Sequence, residues 1–263
     1  MKIGCCTTID NYEALCKIGY DYIELSAYDI YNMTEKEFEI ALAKVIDLGV
    51  PCLGFNAYCK SNLSMVGPEF NLNKIRDYSN VVCKRGSKLG IKYIGIGAPF
   101  ARILPDGWEK EIADKQMEQF LKVTSEIAQS YKQIVLLEAL NAEICNYITS
   151  TDEAYKMVKK LNLPNLKLVL DFYHMEMMNE ELESVNYVIP YVKHLHISHR
   201  GPGIKRDYLN ENDYYDVFRI INFVRTQGYD STISIEADHV LNFYDAAKLN
   251  YKILKMACST NQD

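Results

Sequence analysis

The chain has 263 residues, 48% hydrophobic and 24% charged, which is long enough for one large core and ordinary for a globular domain. Its formal net charge is −6, from 29 basic and 35 acidic residues, and without a Lys/Arg cluster this argues against a nucleic-acid partner, whose phosphates require a basic field. No apolar run approaches the roughly 20 residues of a membrane span, and Met1-Lys2-Ile3-Gly4 opens an apolar strand without the zones of a signal peptide.

In chain order, the first predicted strand is Lys2–Thr7, which carries the adjacent Cys5-Cys6. Gly19 ends the first helix, and the second strand is Tyr22–Ala27. Thr34 and Glu37 form a capping box for the next helix, which Gly49 closes before the third strand, Cys52–Tyr58. After the polar segment Lys60–Phe70, the residues Ile75, Tyr78, Val82 and Leu89 recur at helical spacing up to Gly90. The fourth strand, Tyr93–Ala98, leads into a second long loop, Pro99–Trp108. A helix follows with Ile112, Phe120, Ile127 and Tyr131 on its apolar face. The fifth strand is Gln133–Leu140, and Ser150 with Glu153 caps the next helix. The last three strands are Leu166–Phe172, His194–Ser198 and Thr232–Ala237, the final one preceded by Gly228. Lys84-Arg85 and Lys159-Lys160 read as solvated helix faces.

One unit of strand, loop, helix and turn thus occurs eight times. Several strands are near-continuous apolar runs, such as Ile134-Val135-Leu136-Leu137, as expected of a parallel sheet buried on both faces. With no Gly-rich phosphate loop and no linker, this predicts an α/β fold of the (β/α)8 TIM barrel type, with residues 1–263 as a single domain. The two long polar loops follow strands, so they are candidates for the wall or lid of the functional face. None of the eight cysteines forms a C-x-x-C pair, so we expect reduced thiols serving as small core residues in a cytoplasmic protein.

In a barrel the working side chains stand at the C-terminal ends of strands. Four successive strands end in Glu138, Asp171, His196 and Glu236. A buried, unpaired carboxylate costs several kcal/mol, and three together would raise one another's pKa. A divalent cation resolves that conflict. Three carboxylates and one imidazole suit Mn²⁺ best, with Mg²⁺, Co²⁺ and Zn²⁺ as alternatives. His194, one pleat deeper on the same face as His196, reads as supporting or structural, and His199 and His239 as structural.

These residues carry a resemblance. Glu138-Ala-Leu-Asn141, Asp171-Phe-Tyr-His174, His194-Leu-His196 and Ile235-Glu236 resemble the sugar phosphate isomerase/epimerase superfamily of xylose isomerase-like barrels, nearest in motif to its ketose 3-epimerases. The resemblance implies Glu138, Asp171, His196 and Glu236 as metal ligands, Glu138 and Glu236 as the two bases, and His174 as a substrate contact. Asn141 and Glu143 join the substrate-binding set, and the loop of Ala98 to Gly107, with Arg102, also resembles a family loop. There are departures. Ala139 replaces the proline of E-P-L-N, Ile144 stands where the epimerases carry a substrate-binding Glu, and Pro202 stands where they carry an Arg. Arg200, close behind His196, is the expected replacement, with Arg206 as the other candidate.

The implied function is a metal-dependent isomerase or epimerase of a ketose or sugar phosphate, acting through an enediolate. The partner is a small carbohydrate, and homo-oligomer formation stays open. An inosose-type dehydratase uses the same ion and base. A non-catalytic sugar-binding barrel would have no need of two bases. The related endonuclease IV type implies early histidines, and all five here lie at or after position 174.

Overall fold

The computed structural model describes residues 1–238 and 240–259; His239 lies outside them. Eight parallel strands form the sheet: β1 (Lys2–Thr7), β2 (Tyr22–Ser26), β3 (Cys52–Asn56), β4 (Tyr93–Ile96), β5 (Ile134–Leu137), β6 (Leu166–Asp171), β7 (Val192–Ile197) and β10 (Thr232–Ile235). They close into a barrel in the order β1-β10-β7-β6-β5-β4-β3-β2. The short strands β8 (His199–Arg200) and β9 (Arg206–Asp207) pair antiparallel outside the barrel. The eight barrel strands are the eight expected. Most stop earlier than the apolar pattern suggested, because the residues after them turn into the mouth.

The helices form the outer layer, and local chemistry starts and stops them. Thr34 Oγ1 accepts from the backbone of Glu37, and the Glu37 carboxylate accepts from Thr34 N–H. Ser150 caps its helix, α6 (Thr151–Leu161), but Glu153 reaches past it to the N–H of Thr149. Gly19, Gly49 and Gly90 are the expected left-handed C-caps. In α5 (Lys110–Ser130) the buried stripe is Ala113, Met117, Phe120, Thr124 and Ile127. Ile112 is 40% exposed, one residue and about 100° away from that stripe.

The apolar core lies between strands and helices, where Ile23, Phe55, Ile94, Val135, Leu168, Leu195 and Ile233 are buried. The alternate residues face the lumen, and there the barrel is polar. Tyr22, Glu24, His194, Thr232 and Ser234 are all buried. The Tyr93 ring stacks on His194 at 5.9 Å. Arg85 departs from the expected solvated face. It is buried, donates to the carbonyls of Ile30, Tyr31 and Met33, and pairs with Glu35 at 2.6 Å. All eight cysteines are free thiols. Among the described residues no helix is long and apolar enough to cross a membrane.

Candidate metal and sugar site

Each of the four candidate side chains leaves its strand at the same level of the barrel. Glu138 directly follows β5, and its N–H donates to Ile96 O on the neighbouring strand at 3.2 Å. Asp171 ends β6 opposite His196 of β7, and His196 lies opposite Ser234 of β10. Glu236 directly follows β10 and donates its N–H to Ile197 O at 3.1 Å. Parallel pairing therefore sets the four side by side, and one donor atom from each falls within 4.8 Å of the other three.

His196 is the hub. Its Nδ1 lies 3.1 Å from Glu236 Oε2, 3.4 Å from Glu138 Oε1 and 3.9 Å from Asp171 Oδ2. Asp171 divides its two oxygens. Oδ1 caps the short helix α7 (Phe172–Met177) by accepting from the N–H groups of Tyr173 and His174, which leaves Oδ2 for the cluster. The cap and the cluster are thus served by one residue.

Such charge needs a counter-ion, and the chain supplies Arg206. Its guanidinium sits 2.6 Å from Asp171 Oδ2 and 2.8 Å from Glu236 Oε2, over the ring of Tyr173. Arg206 arrives there because the β8–β9 hairpin folds back across the mouth, with Asp238 N–H donating to Arg206 O at 2.7 Å. Arg200, directly across the hairpin, is not brought to the cluster. It is exposed and lies 3.9 Å from Glu176 on α7.

The electrostatics follow from who has a cation. Burial raises the Asp171 carboxyl, but Arg206 and the two nearby histidines outweigh it and hold it well below the usual range. Burial likewise acts on Glu236, and Arg206 with His196 brings it down to about 2. Glu138 has no guanidinium on its carboxylate. Burial, together with Glu236 and Asp171, lifts it to about 7 against the pull of His196. Burial opposes charge on His196, yet Glu236 and its other neighbours keep the imidazole well above its ordinary range.

His174 and Asn141 stand beside the four as a pair. His174 Nδ1 accepts from the backbone N–H of Asn141 at 3.2 Å and lies 2.9 Å from Asn141 Nδ2. Two donors on Nδ1 place the ring proton on Nε2, 4.0 Å from Asp171 Oδ2. Burial brings His174 down to about 4, so it is neutral near pH 7. Glu143 is exposed, and only its backbone N–H is tied in, to Asn141 Oδ1.

The two long loops pack against each other beside Glu138. Met65 N–H donates to Ala101 O at 2.7 Å, and Arg102, fully buried, donates to the carbonyl of Glu138 at 2.7 Å. Sequence reasoning missed two groups. Asn56, at the end of β3, donates to Glu236 Oε1 at 3.3 Å. Glu24 on β2 is 2% exposed beneath His196. A lone carboxylate inside the apolar run Tyr22-Ile23-Glu24-Leu25 was the available signal.

The sequence profile of the xylose isomerase-like TIM barrel family matches residues 12–252. Over 70% of its length the chain is 27% identical to a D-psicose 3-epimerase of Ruminiclostridium cellulolyticum, and over 68% it is 28% identical to an inosose isomerase of Bacillus subtilis. It spans 64% and 65% of those two proteins, short of two thirds of either. The crystal structure of the IOLI protein with a binding zinc atom has the same fold. The TM-score is 0.77 at 19% identity, covering 99% of this chain and 100% of that one.

Proposed function

Since the chain belongs to the xylose isomerase-like TIM barrel family, we propose that it is a divalent-metal-dependent sugar isomerase or epimerase acting on a ketose or sugar phosphate through an enediolate. The convergence of Glu138, Asp171, His196 and Glu236 carries this reading. The relatives' names, a D-psicose 3-epimerase and an inosose isomerase, support the substrate class.

The donor set fits one divalent cation. Three carboxylates and an imidazole suit Mn²⁺ first, with Mg²⁺, Co²⁺ and Zn²⁺ as alternatives. Glu236 Oε2 is also buried without an aligned hydrogen bond, held by the ion pairs with Arg206 and His196 at 2.8 and 3.1 Å. When bound, a divalent ion supplies Lewis-acid polarisation of a carbonyl and its neighbouring hydroxyl. Glu138 and Glu236 are the bases. They come from β5 and β10, three places apart round the barrel, so their carboxylates can meet a substrate from different sides. One takes the proton next to the carbonyl, and the other, in its acid form, delivers a solvent-derived proton from the opposite side, inverting that carbon. His174 Nε2–H and Arg206 offer donors to the substrate's oxygens, with Asn141 orienting His174. Arg200 and Glu143 would reach the substrate only from the rim.

The test is a panel of ketohexoses, ketopentoses and their phosphates, followed by NMR in D₂O with Mn²⁺-loaded protein that is stripped before the spectra are recorded. Deuterium should appear at the inverted carbon of one sugar. Lack of exchange with every sugar would remove the reading.

Metal uptake should be pH-dependent. In the metal-free protein the cluster proton rests on Glu138, at about 7, and His196 is charged. Both protons must leave before ligation. Mn²⁺ affinity should therefore fall as pH drops through about 7. Calorimetry in buffers of different ionisation heat should count about two protons released near pH 6 and about one near pH 8. A count independent of pH would contradict the assignment of Glu138.

Gly97 tests the packing behind Glu138. A Cβ there would stand 2.5 Å from Glu138 Oε2, at a backbone conformation any residue can adopt. Gly97→Ala should displace that carboxylate and weaken Mn²⁺ binding by about tenfold or more while the protein stays folded. Unchanged affinity would show that Glu138 has room to yield.

A further inference from the structure

Beneath the four lies a second polar group, deeper in the lumen, which the proposed chemistry does not use. At its centre is Glu24. Its Oε1 accepts from Ser234 Oγ, which is itself 2.8 Å from Tyr22 OH. The same oxygen lies 2.8 Å from His194 Nε2, off the line of a ring hydrogen bond. Glu24 Oε2 lies 3.5 Å from His196 Nε2.

The barrel is shaped around this carboxylate. Gly54 is its register partner on β3, and a Cβ there would stand 2.6 Å from Glu24 Cγ and 2.7 Å from Oε2. The β2–β3 register shifts between Ile23 and Glu24, an irregularity of the kind that re-aims a side chain. Replacing a buried charge by an apolar residue of similar volume is often neutral or stabilising. Packing alone is therefore a weak account of the residue.

His196 joins the two groups. Its Nδ1 faces Glu138, Asp171 and Glu236, and its Nε2 faces Glu24 Oε2 and, at 4.0 Å, Cys6 Sγ. An imidazole ligates through a bare ring nitrogen, so its one proton must sit on the other. The groups at Nε2 are a carboxylate and a thiol, and sulfur is a weak acceptor.

We infer that Glu24 is a positioning residue. It holds the His196 proton on Nε2, and so turns the Nδ1 lone pair toward the ion among Glu138, Asp171 and Glu236. This rests on the reading of those four as a cation site. Glu24 itself touches neither ion nor substrate.

The test titrates Mn²⁺ into metal-stripped wild type, Glu24→Gln and Cys6→Ala by calorimetry, and records ¹⁵N NMR of the histidine rings in the Zn²⁺-loaded proteins. One ion per chain is expected. Glu24→Gln should weaken Mn²⁺ binding about 10–100-fold, the usual effect of losing the outer partner of a ligating histidine, and Cys6→Ala should stay within a few-fold of wild type. The wild-type spectrum should show the His196 proton on Nε2, and its exchange with solvent should quicken in Glu24→Gln. Equal affinity in wild type and Glu24→Gln overturns the inference. So does an equal loss in Cys6→Ala, which would make the thiol the acceptor. A second ion per chain that disappears in both variants overturns it as well, since Cys6, Glu24 and His196 would then be a site of their own. Should Glu24→Gln not fold, the wild-type spectrum decides alone, and a proton on Nδ1 refutes the role. Wild type that takes up no ion removes the cation site itself, and the inference falls with it.

Discussion

If the proposed two-base reading holds, Glu138→Gln and Glu236→Gln should each lower the rate of ketose epimerisation by about 10²–10⁴-fold, the usual contribution of a general base. Glutamine keeps the size and one carbonyl oxygen but has no basicity. Each Glu is also a candidate ligand, so lost activity alone could mean lost metal. Metal content, deuterium uptake from D₂O and product formation must therefore be read on the same samples. A variant that keeps its ion should fail to invert the carbon, while the base it retains can still exchange the substrate proton on one side. The two variants should differ in metal binding. The Glu236 carboxylate already shares Arg206 and Asn56, whereas the Glu138 carboxylate, which also meets Asp171, has His196 as its cationic partner, with Arg102 on its main-chain carbonyl. If both variants hold metal and epimerise near the wild-type rate, the bases are other residues.

Arg206→Met should destabilise the metal-free protein by about 3–5 kcal/mol, the cost of stranding a buried charge without its partner. Two carboxylates lose their cation at once. Asp171 Oδ2 at 2.6 Å and Glu236 Oε2 at 2.8 Å are left with the shared imidazole of His196 as their cation, beside the neutral His174 ring 4.0 Å from Asp171 Oδ2. In a chain of this size that loss corresponds to a fall in Tm of roughly 10 °C. Mn²⁺ should recover much of it, because the ion takes over the neutralising role and stabilises only the folded state. The rise in Tm on adding Mn²⁺ should thus be larger in the variant than in wild type. Turnover should stay low even with metal bound, since the donor proposed for the substrate's oxygens is gone. An unchanged Tm in the metal-free variant would show that the carboxylates find another counter-charge. The corresponding change at Arg200, exposed and 3.9 Å from Glu176, should leave Tm nearly unchanged, as isolated surface pairs do.

Features with a local cause were legible in the sequence. β1 spans Lys2–Thr7, the bounds expected around its apolar stretch, and Thr34 with Glu37 starts a helix because both partners lie within one turn. The barrel itself follows from repeated strand–helix units, since parallel neighbours need a crossover and eight of them close a ring. The strand ends Glu138, Asp171, His196 and Glu236 could be named for the same reason. Parallel strands in register place their ends at one face, so position along each strand becomes position in space.

Contacts between residues far apart in the chain were not legible, because they depend on where a loop returns or how the barrel closes. Arg200 stands nearer His196 in sequence, yet Arg206 reaches the carboxylates, because the hairpin reverses and lays β9 beside Asp238. Arg85 looked like half of a charged surface pair, but three carbonyls at the end of α2 (Ala27–Asn32) and just beyond it draw it inward. Glu24 lies more than a hundred residues from the histidines it meets, and only barrel closure brings them together. The barrel and the strand ends at its mouth were readable from the residues, through periodicity and capping that act over a few positions. Which cation balances the cluster, and which buried carboxylate stands behind His196, emerged only in the folded chain, because charge is compensated by proximity in space, and loop return and ring closure set that proximity.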